Sequence, residues 1–275
     1  MNGTIELQEY QPSRVQLSDA DLDWLQGTGR SRFELTPIRR SRYWWLSPKS
    51  SVGVVILPSG RRVHCQPKAP VRNVFFMLAT AVDMPSPFMD QPVHFERIDE
   101  LFDFLVEHLV NLIDARLHAG LYRSYIEREE NLRAVRGRIL IGDDLRRNAV
   151  MRHRTFCQFS EFTWDVPENR VIRQTVFAMS RLVQGNDLQR RLATLDRTLG
   201  EIDPTPLPLS TVDTLQYHRL NDDYRPIHQL CRLLLEGSSV SEIAGETEFR
   251  AFLLDMNVLY EKFLAASLDE AMPNG

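Results

Sequence analysis

The stretch from Phe156 to Ser180, FCQFSEFTWDVPENRVIRQTVFAMS, decides how this chain is read. In its first half Phe156, Gln158, Ser160, Phe162 and Trp164 alternate with their neighbours, which is the period of a strand with one buried face. In its second half the period changes. Val171, Ile172, Val176, Met179 and Leu182 fall on one side of a helix. Asp165-Val166-Pro167-Glu168 joins the halves and reads as a capping box, the Asp165 carboxylate accepting from the Glu168 amide and Glu168 reaching back. Pro167 suits the first turn, whose amides have no helical partner.

Working outward, the same helical rhythm recurs. Ile98, Leu101, Phe102, Leu105, Leu109, Leu112 and Ile113 keep the i, i+3, i+4 spacing, and Gly120 follows as a terminator. Leu188, Leu192, Leu195 and Leu199 make a partner helix closed by Gly200. Tyr224-Arg225-Pro226-Ile227 leads into a helix stopped by Gly237, and a last helix is expected from about Glu248 to Leu268. Upstream, Tyr43-Trp44-Trp45-Leu46 and Val52 to Leu57 are β-rich, Pro58-Ser59-Gly60 makes a turn, and Arg61 to Cys65 begins a return strand. The expected fold class is α+β: a small N-terminal β-domain, then a mostly helical domain with a projecting arginine-rich β/α finger. The expected divisions are a polar segment over 1–30, the β-domain over 31–70, the helical domain over 71–245 with the finger at about 121–164, and the start of a further domain over 246–275.

Composition removes several function classes. The 275 residues carry a net charge of -4, which argues against a protein that coats nucleic acid uniformly but leaves room for a local basic face. Cys65, Cys157 and Cys231 lie far apart and form no CxxC pair, so no disulfide or zinc framework is expected and a reducing, cytoplasmic setting is. The N-terminus is polar and acidic, unlike a signal peptide, and no apolar run reaches the roughly 18 residues of a membrane span. Only Lys49, Lys68 and Lys262 are lysine, against 30 arginines. A GC-rich genome explains that bias; bidentate contact with phosphate or carboxylate is the other reading. None of the three lysines sits in a Gly-Lys-Ser/Thr phosphate loop, and none has an acid two residues before it. No catalytic residue and no metal ligand is therefore assigned within this chain.

From Leu121 to Thr155 apolar rhythm fades and charge rises. Between Arg133 and Arg154 there are seven arginines (Arg133, Arg136, Arg138, Arg146, Arg147, Arg152 and Arg154) against two acids, Asp143 and Asp144. A charged segment bounded by well-anchored elements reads either as a solvated hairpin or as a recognition arm that meets a partner or a phosphate backbone. The arginines of the β-domain (Arg30, Arg32, Arg39, Arg40, Arg42, Arg61 and Arg62) are read as a solvated face.

Four segments, in this order and spacing, resemble the McrC family, partner subunits in McrBC modification-dependent (5-methylcytosine) restriction systems. They are Pro70 to Leu78 (PVRNVFFML), Val135-Arg136-Gly137-Arg138-Ile139, Glu168 to Arg173 (ENRVIR), and Phe252 to Phe263 (FLLDMNVLYEKF), with Tyr224-Arg225-Pro226 as a fifth match. The resemblance spans residues 43–268. It implies a finger, here Arg133 to Arg154, that enters the channel of a hexameric McrB-like AAA+ GTPase and stimulates GTP hydrolysis, with Arg136, Arg138, Arg146 and Arg147 supplying the contacts. It implies GTP and magnesium on that partner, DNA in the assembled complex, no cofactor in this chain, and no membrane. It also implies a PD-(D/E)xK nuclease domain using magnesium, expected to be missing beyond residue 275 because no acid–x–Lys is present. Asn73, Gly137, Asn169, Arg170, Arg225 and Asp255 match family positions and are given structural roles, with Arg170 the candidate partner of Asp255. The alternative is a stand-alone DNA-binding module with the arginine-rich arm on the phosphate backbone.

Overall fold

The structure is a computed structural model and describes residues 3–81, 95–151, 153–243 and 246–271. The N-terminal part holds β1 (Ile5–Gln8), β2 (Ser13–Gln16), α1 (Asp19–Gln26), β3 (Phe33–Pro37), β4 (Tyr43–Pro48), β5 (Ser51–Ile56) and β6 (Arg62–Gln66). Helices α2 (Val71–Ala81) and α3 (Ile98–Ala119) follow, then β7 (Ser124–Leu132), β8 (Arg138–Ile139), α4 (Ile141–Arg147) and β9 (Thr155–Thr163). The rest is α5 (Pro167–Leu182), α6 (Asn186–Thr198), α7 (Ser210–Thr214), α8 (Arg225–Gly237), β10 (Ser238–Ile243), β11 (Glu246–Asp255) and α9 (Met256–Ala271). The class is α+β.

Three sheets organise these elements. β1-β6-β5-β11-β10 is antiparallel except for β1, which runs parallel to β6 with Ile5 opposite Val63. β2-β4-β3 is a separate small sheet, and β7-β9-β8 a third. The five-stranded sheet separates two cores, as the period-2 alternation of strands requires. Val55, Ala251 and Leu253 join Leu7, Trp24, Leu25, Phe33 and Leu46 on the side of the small sheet. Val52, Phe252 and Leu254 point the other way, onto Phe102, Leu105, Val176 and Leu234 of the helices.

The helical face of the 156–180 stretch is found as read: Val171, Ile172, Val176, Met179 and Leu182 are all buried on α5. Three expectations give way. The helix expected from Glu248 begins only at Met256, and Glu246–Asp255 is a strand hydrogen-bonded to β5 and β10. Ala251 to Leu254 are buried on both faces, and a continuous apolar run has no period that separates an inner strand from a buried helix. The first thirty residues, read as a polar segment, contribute β1 and β2, four-residue strands too short to show a clear alternation. Finally, three β-region arginines face protein as well as water. Arg62 donates to the Leu182 carbonyl at 2.6 Å, Arg61 donates to the Gln16 carbonyl at 2.5 Å, and Arg32 meets Asp255 at 3.4 Å.

Candidate functional site

β7, β8, β9 and α4 form a unit whose root is held by buried polar groups. Asn169, in the first turn of α5, is fully buried. Its Nδ2 donates to the carbonyls of Tyr122 (2.9 Å) and Trp164 (2.6 Å), and its Oδ1 accepts from the Tyr224 hydroxyl at 2.7 Å. Tyr122 lies just before β7 and Trp164 just after β9, so one side chain ties both ends of the sheet to the helical body. The Tyr224 oxygen also accepts from the Tyr122 amide at 2.8 Å. Beside it, burial lowers the His228 imidazole to about 4, and Tyr217 meets that ring at 2.9 Å.

Asp165 does not cap α5 as the sequence suggested; Val166 is the N-cap and no side chain caps it. The Asp165 carboxylate instead accepts from Arg170 at 2.7 and 2.8 Å, from Arg128 at 3.1 Å and from the Asp203 amide at 3.0 Å. Arg170 chiefly, with the Asp203 amide and Arg128 acting against burial, brings this carboxyl down to about 2. Asp255 pairs with Arg32, which corrects the Arg170–Asp255 pairing expected from sequence. Nε and Nη2 of the Arg170 fork are taken by Asp165, with Asp203 at 3.2 Å from Nη2, so the fork faces these two carboxylates and not Asp255. Because the folded-state value of Asp165 is depressed, its contribution of about 2 kcal/mol is present above pH ~4 and is lost as pH falls through about 2. Asp165→Asn should cost that amount at neutral pH and flatten the acid limb below pH ~4 in urea titrations. An unaltered acid limb would place its stabilising partners elsewhere.

Further out the backbone is regular but little is buried. β9 is the central strand, with Leu132 opposite Thr155 on one side and Arg138 opposite Gln158 on the other. Gly137 has φ 68°, and a Cβ there would strike the Gln158 carbonyl oxygen and lie 2.8 Å from the Phe159 Cβ, so only glycine makes this close approach. Asn148 is the one buried residue among the described residues of 133–151. It exchanges hydrogen bonds with Asn131 at 2.8 and 2.9 Å and donates to Asp144, which also accepts from the Phe156 amide at 2.7 Å.

The six described arginines of this segment divide into two groups. Arg136 stacks on Phe159 at 4.1 Å, Arg147 on Phe156 at 4.4 Å, and Arg154 donates to the Asn131 carbonyl at 3.3 Å. These three brace the sheet. Arg146 is exposed and touches only its own helix, at Gly142 and Asp143. The side chains of Arg133 and Arg138 are exposed and make no hydrogen bond or ion pair among the described residues. Arg152 lies outside the described residues. Among them stand exposed apolar side chains that the sequence reading passed over: Val135, Ile139, Ile141, Leu145, Val150 and Met151. Val150 is 92% exposed. Their signal in the sequence was apolar residues interleaved with arginine at no regular period.

Two further family-motif residues, Asn73 and Arg225, stand at helix starts. The Asn73 amide donates to the Pro70 carbonyl at 2.8 Å in the entry to α2, and Arg225 stacks on Tyr217 at 4.5 Å and pairs with Asp222. Among the described residues no group of three His, Cys, Asp or Glu side chains is placed to hold a metal ion, and no helix is long and apolar enough to cross a membrane.

A family model described as McrBC 5-methylcytosine restriction system component matches residues 46–275. The chain belongs to this family. Two solved structures resemble this McrBC family member in fold. The cryo-EM structure of the Thermococcus gammatolerans McrBC complex aligns with TM-score 0.58 and 17% identity, covering 97% of this chain and 87% of that one. The refined half-complex from a tetradecameric assembly of Thermococcus gammatolerans McrB AAA+ hexamers with bound McrC aligns with TM-score 0.53 and 16% identity, covering 98% and 71%. No curated protein matches the chain.

Proposed function

We propose that this chain is an McrC-like subunit that docks into the ring of an McrB-type AAA+ GTPase through the β7-β9-β8 sheet and α4, and accelerates GTP hydrolysis there. The sheet and α4 are the projecting finger of this reading. GTP and its magnesium belong to the partner. Hydrolysis would be coupled to DNA cleavage by a PD-(D/E)xK nuclease domain, whose acid–x–Lys signature does not occur in these residues.

One observation carries the proposal: a hydrogen-bonded sheet, fixed at its root, that exposes Ile141, Leu145 and Val150 beside the exposed Arg138 and Arg146. Contiguous exposed apolar side chains mark a surface that another protein covers. A phosphate backbone gains nothing from them. Of Arg136, Arg138, Arg146 and Arg147, Arg138 is unpaired among the described residues and Arg146 touches only its own helix, so these two are assigned the contacts to acidic or nucleotide-proximal groups of the ring. An arginine placed near a triphosphate stabilises the charge that develops in hydrolysis.

GTP turnover by the cognate McrB, with and without this chain, tests the reading. The double change Arg138→Ala with Arg146→Ala should cut the stimulation at least about tenfold while shifting the melting temperature by no more than about 2 °C. Arg136→Ala should lower both, because it also loses its stack on Phe159. An McrB ring whose turnover is indifferent to the folded chain would remove the proposal. Duplex binding that weakens with salt and with the same double change would favour an arm lying on phosphate.

A further inference from the structure

We propose that the outer face of the β2-β4-β3 sheet binds single-stranded nucleic acid, with one unpaired base held between Tyr10 and Trp45. This site is distinct from the docking arm and does not rest on it.

The alternation of β4 sends Leu46 into the core and leaves Tyr43, Trp45 and Ser47 on the opposite face. Trp45 stands between Arg14 of β2 and Thr36 of β3, and it is 42% exposed. A cleft of about 420 Å³ opens beside it, lined by Tyr10, Pro12, Glu34, Thr36, Trp45 and Ser47. That size falls within the range of small-ligand sites.

Tyr10 is the unusual member. It has φ 59°, a left-handed conformation that is costly for a bulky side chain. Its amide is fixed by the Pro48 carbonyl at 2.8 Å, yet the residue is 47% exposed at the cleft wall, with Lys68 Nζ 4.4 Å from the ring centroid. The backbone is strained to display a ring that the core does not use. An exposed tryptophan on the sheet and a half-exposed tyrosine in the β1–β2 turn, both lining one cleft, suit a base with open π-faces, which an unpaired strand offers and a duplex hides.

Charge selects the same partner. Residues 28–62 hold eight basic side chains (Arg30, Arg32, Arg39, Arg40, Arg42, Lys49, Arg61, Arg62) and one acid, Glu34, in a chain of net charge -4. Arg32, Arg61 and Arg62 are engaged within the protein. Arg39, Arg40 and Arg42, in the turn between β3 and β4, are exposed and their side chains have no partner among the described residues. Arg14 lies over the Tyr43 ring at 3.9 Å, between that turn and the cleft. Tyr43 to Ser47 spans about 13 Å of strand. The arrangement runs from a basic turn, past Arg14, to an aromatic cleft. Glu34 in the cleft is suited to the exocyclic amino group of a base and repels phosphate, so the base enters the cleft and the backbone follows the arginines.

Fluorescence anisotropy with the full chain and a labelled single strand of about 12 nucleotides, mixed in sequence, tests this. We expect binding whose logarithm falls with log salt at a slope of about −2, the signature of roughly three neutralised phosphates. The matching duplex should bind at least about tenfold more weakly. Trp45→Ala should weaken single-strand binding about tenfold or more, and Trp45→Phe should keep most of it. Tyr10→Gly should weaken it comparably while holding or raising thermal stability, because glycine relieves the left-handed strain. Arg138→Ala with Arg146→Ala should leave it unchanged. The proposal is overturned by no binding at about 50 mM salt, by a duplex bound equally well, or by folded Trp45→Ala and Tyr10→Gly proteins that bind like the parent.

Discussion

Gly53→Ala is expected to be among the most destabilising single methyl additions in the chain. Gly53 sits in β5, opposite Cys65 on β6 and Leu253 on β11, with φ 145°. A Cβ there would overlap the Phe252 carbonyl oxygen and stand 3.0 Å from its carbonyl carbon and 3.2 Å from the Leu253 Cα. Those are backbone atoms of a neighbouring strand, so no side-chain rotation relieves the collision. Backbone strain and overpacking together come to about 4 kcal/mol, a large part of the stability of an ordinary domain. The urea midpoint should fall accordingly, with the variant prone to aggregation as β5 and β11 part. A midpoint within experimental error of the parent would mean that residues 246–255 do not pair with β5 in this register.

The second large effect concerns Asn169. Asn169→Ala leaves the Tyr122 and Trp164 carbonyls and the Tyr224 hydroxyl short of a partner in a site closed to water. Unmade buried hydrogen bonds of this kind cost about 1–3 kcal/mol each, partly relieved by relaxation, so the expected loss is about 3 kcal/mol. For a chain of this size that is a fall of roughly 6–12 °C in melting temperature. Asn169→Asp should be at least as harmful, since it turns an acceptor oxygen toward two carbonyls. The local signature is hydrogen exchange: amides of β7 and β9 nearest the root should exchange faster while those of α3 hold their protection. If the loss is below about 1 kcal/mol, the root is held by Asp165, Arg128 and Arg170 and not by Asn169.

These two positions mark different limits of the sequence. ENRVIR is a family motif that implies a structural role for Asn169, but the partners of Asn169 are not legible in it. They are backbone carbonyls 47 and 5 residues away, and Tyr224 comes from a third element. Asp165 shows the same limit. Local spacing offers it an amide three residues on, and the fold offers it two guanidinium groups and the Asp203 amide. A charge-assisted pair outcompetes a neutral cap. Within the arm, the arginine count was visible, but not its division. Stacking of Arg136 and Arg147 on Phe159 and Phe156 depends on which residues β9 turns outward.

The amino-acid sequence alone determined the change of period at Asp165, the faces of α3, α5 and α6, the turn at Pro58-Ser59-Gly60 and the membership of the McrBC family. The period, the faces and the turn rest on residues a few positions apart, where helix and strand periods act directly, and the family membership rests on short motifs kept in order along the chain. Tertiary structure decided what Glu246–Asp255 becomes, where β1 and β2 attach, and which arginines remain unpaired. Each depends on an open strand edge or a charge supplied from far along the chain, and a buried apolar run takes whichever form lets its backbone find hydrogen bonds.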